Sequence, residues 1–165
     1  MALRPQVVDA VRVPVVAAGG IADGRGLVAA LALGASGVLL GTRFVATRES
    51  MAPELYKKRL LESDSGDTTV TDTLSGLWAR ALANRLRAST RNPVRPYCRR
   101  SSSAALPTTS TSRRSSRGDP DYYPMMAGQG CGLVRDLPGA AEVVETVIRE
   151  ARAVLGALPQ RVRQA

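Results

Sequence analysis

The hydrophobic positions of this chain change their spacing several times, and each change predicts an element. Residues 6–12 read as the end of a helix. The run VPVVA at 13–17 is short, apolar and rich in β-branched side chains. That is the pattern of a strand buried on both faces, as in a parallel sheet. Gly19 and Gly20 end it. Asp23 is placed to cap a helix, and Leu27, Leu31 and Ala35 follow at helical spacing to Gly34 and Ala35, where the helix is expected to stop. A second apolar run, GVLL at 37–40, ends at once in Gly41 and Thr42. Strand, glycine loop, helix, strand, glycine loop is a βαβ unit, so its two strands are expected to be parallel.

Beyond this unit the pattern is looser. Residues 53–62 predict a helix with Pro53 near its first turn. TTVTDT at 68–73 predicts a short strand or an extended loop, and residues 74–86 a return to helix. Residues 90–117 carry almost no apolar content and no periodicity, which predicts disorder. Order is expected to resume at GDPDYYPMMAGQGCGLV, residues 118–134. The last element, 139–158, places Ala140, Val143, Val144, Val147, Ile148, Ala151, Val154 and Leu155 on one helical face. This predicts a terminal amphipathic helix.

Composition narrows the picture. Aromatics are 4% of 165 residues, so the core is expected to be built from Val, Leu and Ala. The formal net charge is +9, which ordinarily points to a polyanion partner. Here Arg87, Arg91, Arg95, Arg99, Arg100, Arg113, Arg114 and Arg117 lie in one stretch without acids, and the remainder is nearly neutral. That stretch lacks interleaved aromatics, so nucleic-acid binding is not expected. No apolar run is long enough to span a membrane, and MALRPQVVDAV lacks the apolar core of a signal peptide. A cytoplasmic, soluble chain is the expectation. Cys98 and Cys131 show no metal-ligand spacing, and histidine is absent, so no metal site is expected and the commonest general base is missing. Asp119 and Asp121 read as a turn, Trp78 as core, Met125 and Met126 as gap-fillers, and Cys131 as a small packing residue.

The glycine loops carry the candidate chemistry. A loop leaving the C-terminal end of a parallel strand sits where α/β folds bind ligands. Glycine there permits positive φ and close approach to backbone N–H groups, and a following helix adds the positive end of its dipole. In (β/α)8 barrels a cofactor phosphate is often held by two such consecutive loops. Ala18, Gly19 and Gly20 would form the first and Gly41 and Thr42 the second, with the Thr42 hydroxyl as a further donor. The alternative is that these glycines serve only as turns and helix caps.

The stretch VPVVAAGGIADGRGLVAALALGASGVLLGTRFVATRES, residues 13–50, resembles the cofactor-phosphate segment of the nitronate monooxygenase family, also called 2-nitropropane dioxygenases. GDPDYYPMMAGQGCGLV resembles that family's second signature. The resemblance implies a fold, a cofactor and a reaction. The fold is α/β, the C-terminal part of a (β/α)8 TIM barrel with part of a small helical insert domain. The cofactor is FMN and the reaction is oxidation of alkyl nitronates with molecular oxygen. Residues 1–50 would supply the last βα units, 51–89 insert-domain helices, 90–117 a low-complexity segment, and 118–165 a glycine-rich loop and terminal helix. By resemblance Ala18, Gly19, Gly20, Gly41 and Thr42 are phosphate-binding and Gln129 lies near the flavin. No catalytic residue carries over, because the family's active-site histidine lies upstream of the strand matched by residues 13–17. The alternatives are a flavin-dependent enoyl-ACP reductase, which shares the phosphate loops, and a non-catalytic, pseudogene-like fragment.

Overall fold

A computed structural model describes residues 2–72, 77–85 and 123–164. Helix α1 (Leu3–Ala10) leads into strand β1 (Val16–Ala18), helix α2 (Gly24–Ala32) and strand β2 (Gly37–Leu39). The two strands pair in parallel, with Val16 opposite Gly37 and Ala18 opposite Leu39. This is the expected βαβ unit. α2 starts at Asp23, whose carboxylate accepts from the Gly26 N–H at 3.1 Å, and ends at Gly34, whose φ of 85° suits glycine. Under the strands lies a small cluster of Ala17, Ile21, Ala30 and Ala35.

One expectation about these strands fails. Only one face is covered. Val16 is 57% exposed and Leu39 63%, because among the described residues α2 packs on a single side and no second layer meets the other.

A short helix α3 (Thr42–Val45) follows β2 directly, then α4 (Glu54–Leu61) with Pro53 at its N-cap. Strand β3 (Thr68–Thr71) takes the strand alternative for that segment, and it pairs antiparallel with β4 (Ala79–Leu82). The β4 segment lies inside the predicted helix 74–86, so that helix is corrected here. Helix propensity differs among ordinary residues by only a fraction of a kcal/mol each. The β4 backbone instead gains partners on both edges, since Leu82 donates to the Met125 carbonyl at 2.9 Å and Ala127 donates to Arg80 at 3.1 Å. Ala81 and Leu82 are buried in the process. Trp78, read as core, stands 64% exposed just before β4. The predicted disorder at 90–117, along with Cys98, Asp119 and Asp121, falls outside the described residues.

The larger core joins Ala46, Tyr56, Leu60, Leu82, Met125, Ala127, Cys131 and Val134. Met125 fills a gap there as expected, whereas Met126 is partly exposed. The Tyr56 hydroxyl donates to the Met126 carbonyl, and burial pushes its pKa well above the ordinary tyrosine value. Helix α5 (Ala140–Gln164) closes the chain. Its buried stripe is Val143, Val147 and Ala151, packed on α2, while Val144, Ile148 and Leu155 of the predicted apolar face remain exposed.

The cap at Asp23 allows a test. Burial raises the Asp23 pKa, but the Arg25 guanidinium and the Gly26 N–H outweigh it and hold the carboxyl below its ordinary value. A lowered folded-state pKa stabilises the fold above the unfolded value and loses that contribution as pH falls through the folded one. An Asp23→Ala chain is therefore expected to be about 1 kcal/mol less stable at neutral pH. The gap should narrow as pH drops below the usual carboxylate range, as read by urea denaturation at each pH. A gap that does not change with pH would mean the cap acts without its charge.

Candidate functional site

The loop after β1 and the loop after β2 leave the same end of a parallel pair, so they lie side by side. Gly19 and Gly20 have φ of 93° and 71°, which L side chains rarely adopt. A Cβ added at Gly19, Gly20 or Gly41 would meet nothing within 4 Å, so the space in front of these glycines is open. Among the described residues the backbone N–H groups of Gly20, Gly41 and Thr42 donate to no protein acceptor. The predicted loop residues Ala18, Gly19, Gly20, Gly41 and Thr42 are thus brought together, with three backbone donors left over.

A third glycine segment completes the cluster. The Gly128 N–H donates to the Thr42 hydroxyl oxygen at 3.0 Å. A Cβ on Gly130 would lie 3.4 Å from the Gly20 carbonyl carbon, so the segment rests directly on the first loop. Gln129 sits between these two glycines and opens a 3-10 turn (Gln129–Leu133). Its carbonyl accepts from the Ser65 hydroxyl at 2.8 Å. Sequence reasoning singled out Gln129 and passed over its flanking glycines. The signal for them was in the AGQGCG spacing, since two glycines around one polar residue suit a close backbone approach.

The anchoring residues were not legible. Arg43 of α3 is buried and pairs with Asp136 at 2.7 Å, which ties the second loop to the chain after the 3-10 turn. Arg48 pairs with Glu142 at 2.6 Å, and the Ala140 N–H donates to Glu49 at 2.9 Å, so the chain just after α3 is joined to the start of α5. Arg48 and the Gly139 N–H hold the Glu142 carboxyl below its ordinary pKa.

The α2 dipole plays a different part from the one expected. Its first N–H, at Gly24, donates to Glu150 of α5 at 2.9 Å, and Asp23 takes the Gly26 N–H. Two protein carboxylates already occupy this positive end. The remaining donors belong to the loops and to the first residue of α3, a short helix directly after the second strand.

Cys131 is fully buried, its thiol donating to the Asp64 carbonyl at 3.3 Å. Burial pushes its pKa up, and its place inside the larger core fits the packing role read from the sequence. Among the described residues no His, Cys, Asp or Glu cluster is arranged to hold a metal ion, and no helix is long and apolar enough to cross a membrane.

The profile of the family described as nitronate monooxygenase matches residues 1–150. A nitronate monooxygenase of Pseudomonas aeruginosa is 42% identical over 147 residues, which is 84% of this chain and 40% of that protein. A probable nitronate monooxygenase of Staphylococcus saprophyticus is 52% identical over 84 residues, 51% of this chain and 24% of that one. Among solved structures, a nitroalkane oxidase from Streptomyces ansochromogenes matches with TM-score 0.79 and 36% identity, covering 94% of this chain and 44% of that chain. FabK from Thermotoga maritima matches with TM-score 0.78 and 32% identity, covering 96% and 50%. The chain therefore spans half or less of the length of these proteins. With glycine loops at the ends of two parallel strands and a family profile matched over nearly its whole length, this chain belongs to the nitronate monooxygenase family, one of flavin-dependent oxidoreductases.

Proposed function

We propose that this chain carries the phosphate-binding part of an FMN-dependent nitronate monooxygenase, with β1 and β2 as the last two strands of a (β/α)8 barrel. The observation that carries this reading is the convergence of three glycine segments on three unused backbone donors. The residues fit a phosphate. Ala18, Gly19 and Gly20 approach without side chains in the way, Gly41 and Thr42 add N–H donors, and the Thr42 hydroxyl is held by Gly128 with its own proton free to donate. The nearby carboxylates Asp23 and Glu150 are turned onto α2. Gln129 stands beside this cradle as the candidate for contact with the rest of the flavin. When bound, FMN would supply the redox chemistry, taking electrons from an alkyl nitronate and passing them to oxygen.

This chain's own residues account for holding the phosphate and not for proton transfer, since it has no histidine. The experiment is a titration of the purified chain with FMN and with riboflavin, followed by flavin fluorescence, with nitronate-dependent oxygen uptake as the activity readout. FMN is expected to bind in preference to riboflavin and to be displaced by inorganic phosphate, with no turnover by this chain alone. Equal affinity for the two flavins would sink the phosphate reading. A second reading, a flavin-dependent enoyl-ACP reductase, uses the same cradle, and the likeness to FabK is of similar quality. The family profile and the curated relatives favour the nitronate reading.

A further inference from the structure

We infer that the outer face of α5 is a docking surface for the α5 of a second copy of this chain, with the two helices antiparallel. The inference is independent of the phosphate reading. The apolar positions Val144, Ile148, Ala151, Leu155, Leu158 and Val162 recur at alternating steps of four and three. That is the heptad spacing by which one helix packs along another. The fold itself uses a different stripe. Val143, Val147 and Ala151 are buried, and α2 meets α5 there with Gly24 close against Ala151. Ala151 belongs to both stripes. The rest of the heptad seam is turned roughly a quarter of the way around the helix. Val144, Ile148 and Leu155 are accordingly 47%, 42% and 52% exposed.

Charge names the occupant and its direction. Glu145 and Arg152 border the seam on the side away from α2, one heptad apart. Both are exposed, and among the described residues neither has a hydrogen-bond or ion-pair partner. About 10 Å of helix axis lies between them, so they do not pair with each other. In an antiparallel dimer these two edges meet. Glu145 of one copy then comes beside Arg152 of the other, and twofold symmetry makes the contact twice. The same register sets Val144 of one copy against Leu155 of the other, with both Ile148 side chains near the axis. A parallel pair would instead bring these edges beside Ala140 and Val147 and form neither ion pair. A seam of this length is smaller than a standard interface, so the dimer is weak and concentration-dependent.

Sedimentation across a concentration series tests this on the wild-type chain and on single variants. Glu145 and Arg152 lie on the surface, so reversing their charges leaves the fold intact. Glu145→Arg and Arg152→Glu each bring like charges together twice, and each is expected to weaken the dimer about tenfold at low salt. Mixing these two variants is expected to restore the wild-type affinity, because each copy then carries the charge that the other lacks. Ile148→Ser is expected to weaken the dimer more than either reversal. Leu39→Ser, which lowers association through the strand face, is expected to leave the dimer step in place. Reversals without effect, or no rescue on mixing, overturn the inference. So does a dimer lost in Leu39→Ser and kept in Ile148→Ser, which would move the contact to the strands. A wild-type chain that stays monomeric at millimolar concentration overturns it as well, and leaves a different polypeptide as the occupant of this face.

Discussion

A Gly24→Ala chain is expected to be about 2 kcal/mol less stable than the wild type, although alanine is the better helix former. Gly24 opens α2 where that helix meets α5, and a Cβ there would lie 2.3 Å from the Ala151 nitrogen and 2.5 Å from the Glu150 Cβ. Backbone atoms cannot rotate away, so the two helices must separate or shift. Overpacking of this kind costs about 1–3 kcal/mol, and here the Gly24 to Glu150 hydrogen bond is at risk as well. The gain in helix propensity is at most about 1 kcal/mol. The clash therefore wins. Gly156 provides the opposite case. It lies within α5 with nothing within 4 Å of an added Cβ, so Gly156→Ala is expected to stabilise the fold by about 0.5–1 kcal/mol. Urea denaturation of both variants reads the two signs. A neutral Gly24→Ala would mean that α2 and α5 do not pack this closely.

Gly20→Val is expected to weaken FMN binding tenfold or more. Two effects act together. A β-branched residue at φ of 71° is strained by about 1–2 kcal/mol, which the loop can relieve only by changing its backbone. The side chain would also fill the open space that the phosphate reading assigns to the ligand. Gly41→Val separates the two, because φ of −93° suits any residue while the space before it is equally open. If both variants lose affinity by a similar factor, filling the cradle is the cause. If Gly20→Val alone loses it, loop strain is the cause. If neither does, the phosphate sits elsewhere. Each tenfold step corresponds to about 1.4 kcal/mol of binding free energy.

The exposed faces of β1 and β2 bear on how such measurements read. Val13, Val16 and Leu39 present apolar surface at a parallel pair whose outer edges meet no further strand among the described residues. Apolar sheet surface of this kind invites association. Titrations are therefore expected to depend on protein concentration, and sedimentation at the working concentration is the necessary companion measurement.

Local rules were enough for the βαβ unit. Apolar runs at 13–17 and 37–40, an Asp cap and a glycine stop placed β1, α2 and β2 to within a few residues, because each signal acts through neighbours in sequence. The two glycine loops were legible for the same reason, as were Pro53 at the start of α4 and the helical spacing of α5. The β4 segment was not legible. Ala79 to Leu82 carry helix-forming residues, and only pairing with β3 and with the Met125–Ala127 backbone, brought from over forty residues away, makes them a strand. Trp78, just before β4, likewise stands exposed among the described residues, which no local pattern announced.

The sequence alone determined that two glycine loops stand at the ends of two parallel strands, because strand, turn and cap preferences are short-range. Only the tertiary structure decided what else meets there. It brought Gly128 and Gly130 onto the loops and turned Glu150 onto the α2 N-terminus. Those contacts join residues far apart in the chain. They are fixed by how the elements pack, and no local pattern encodes them.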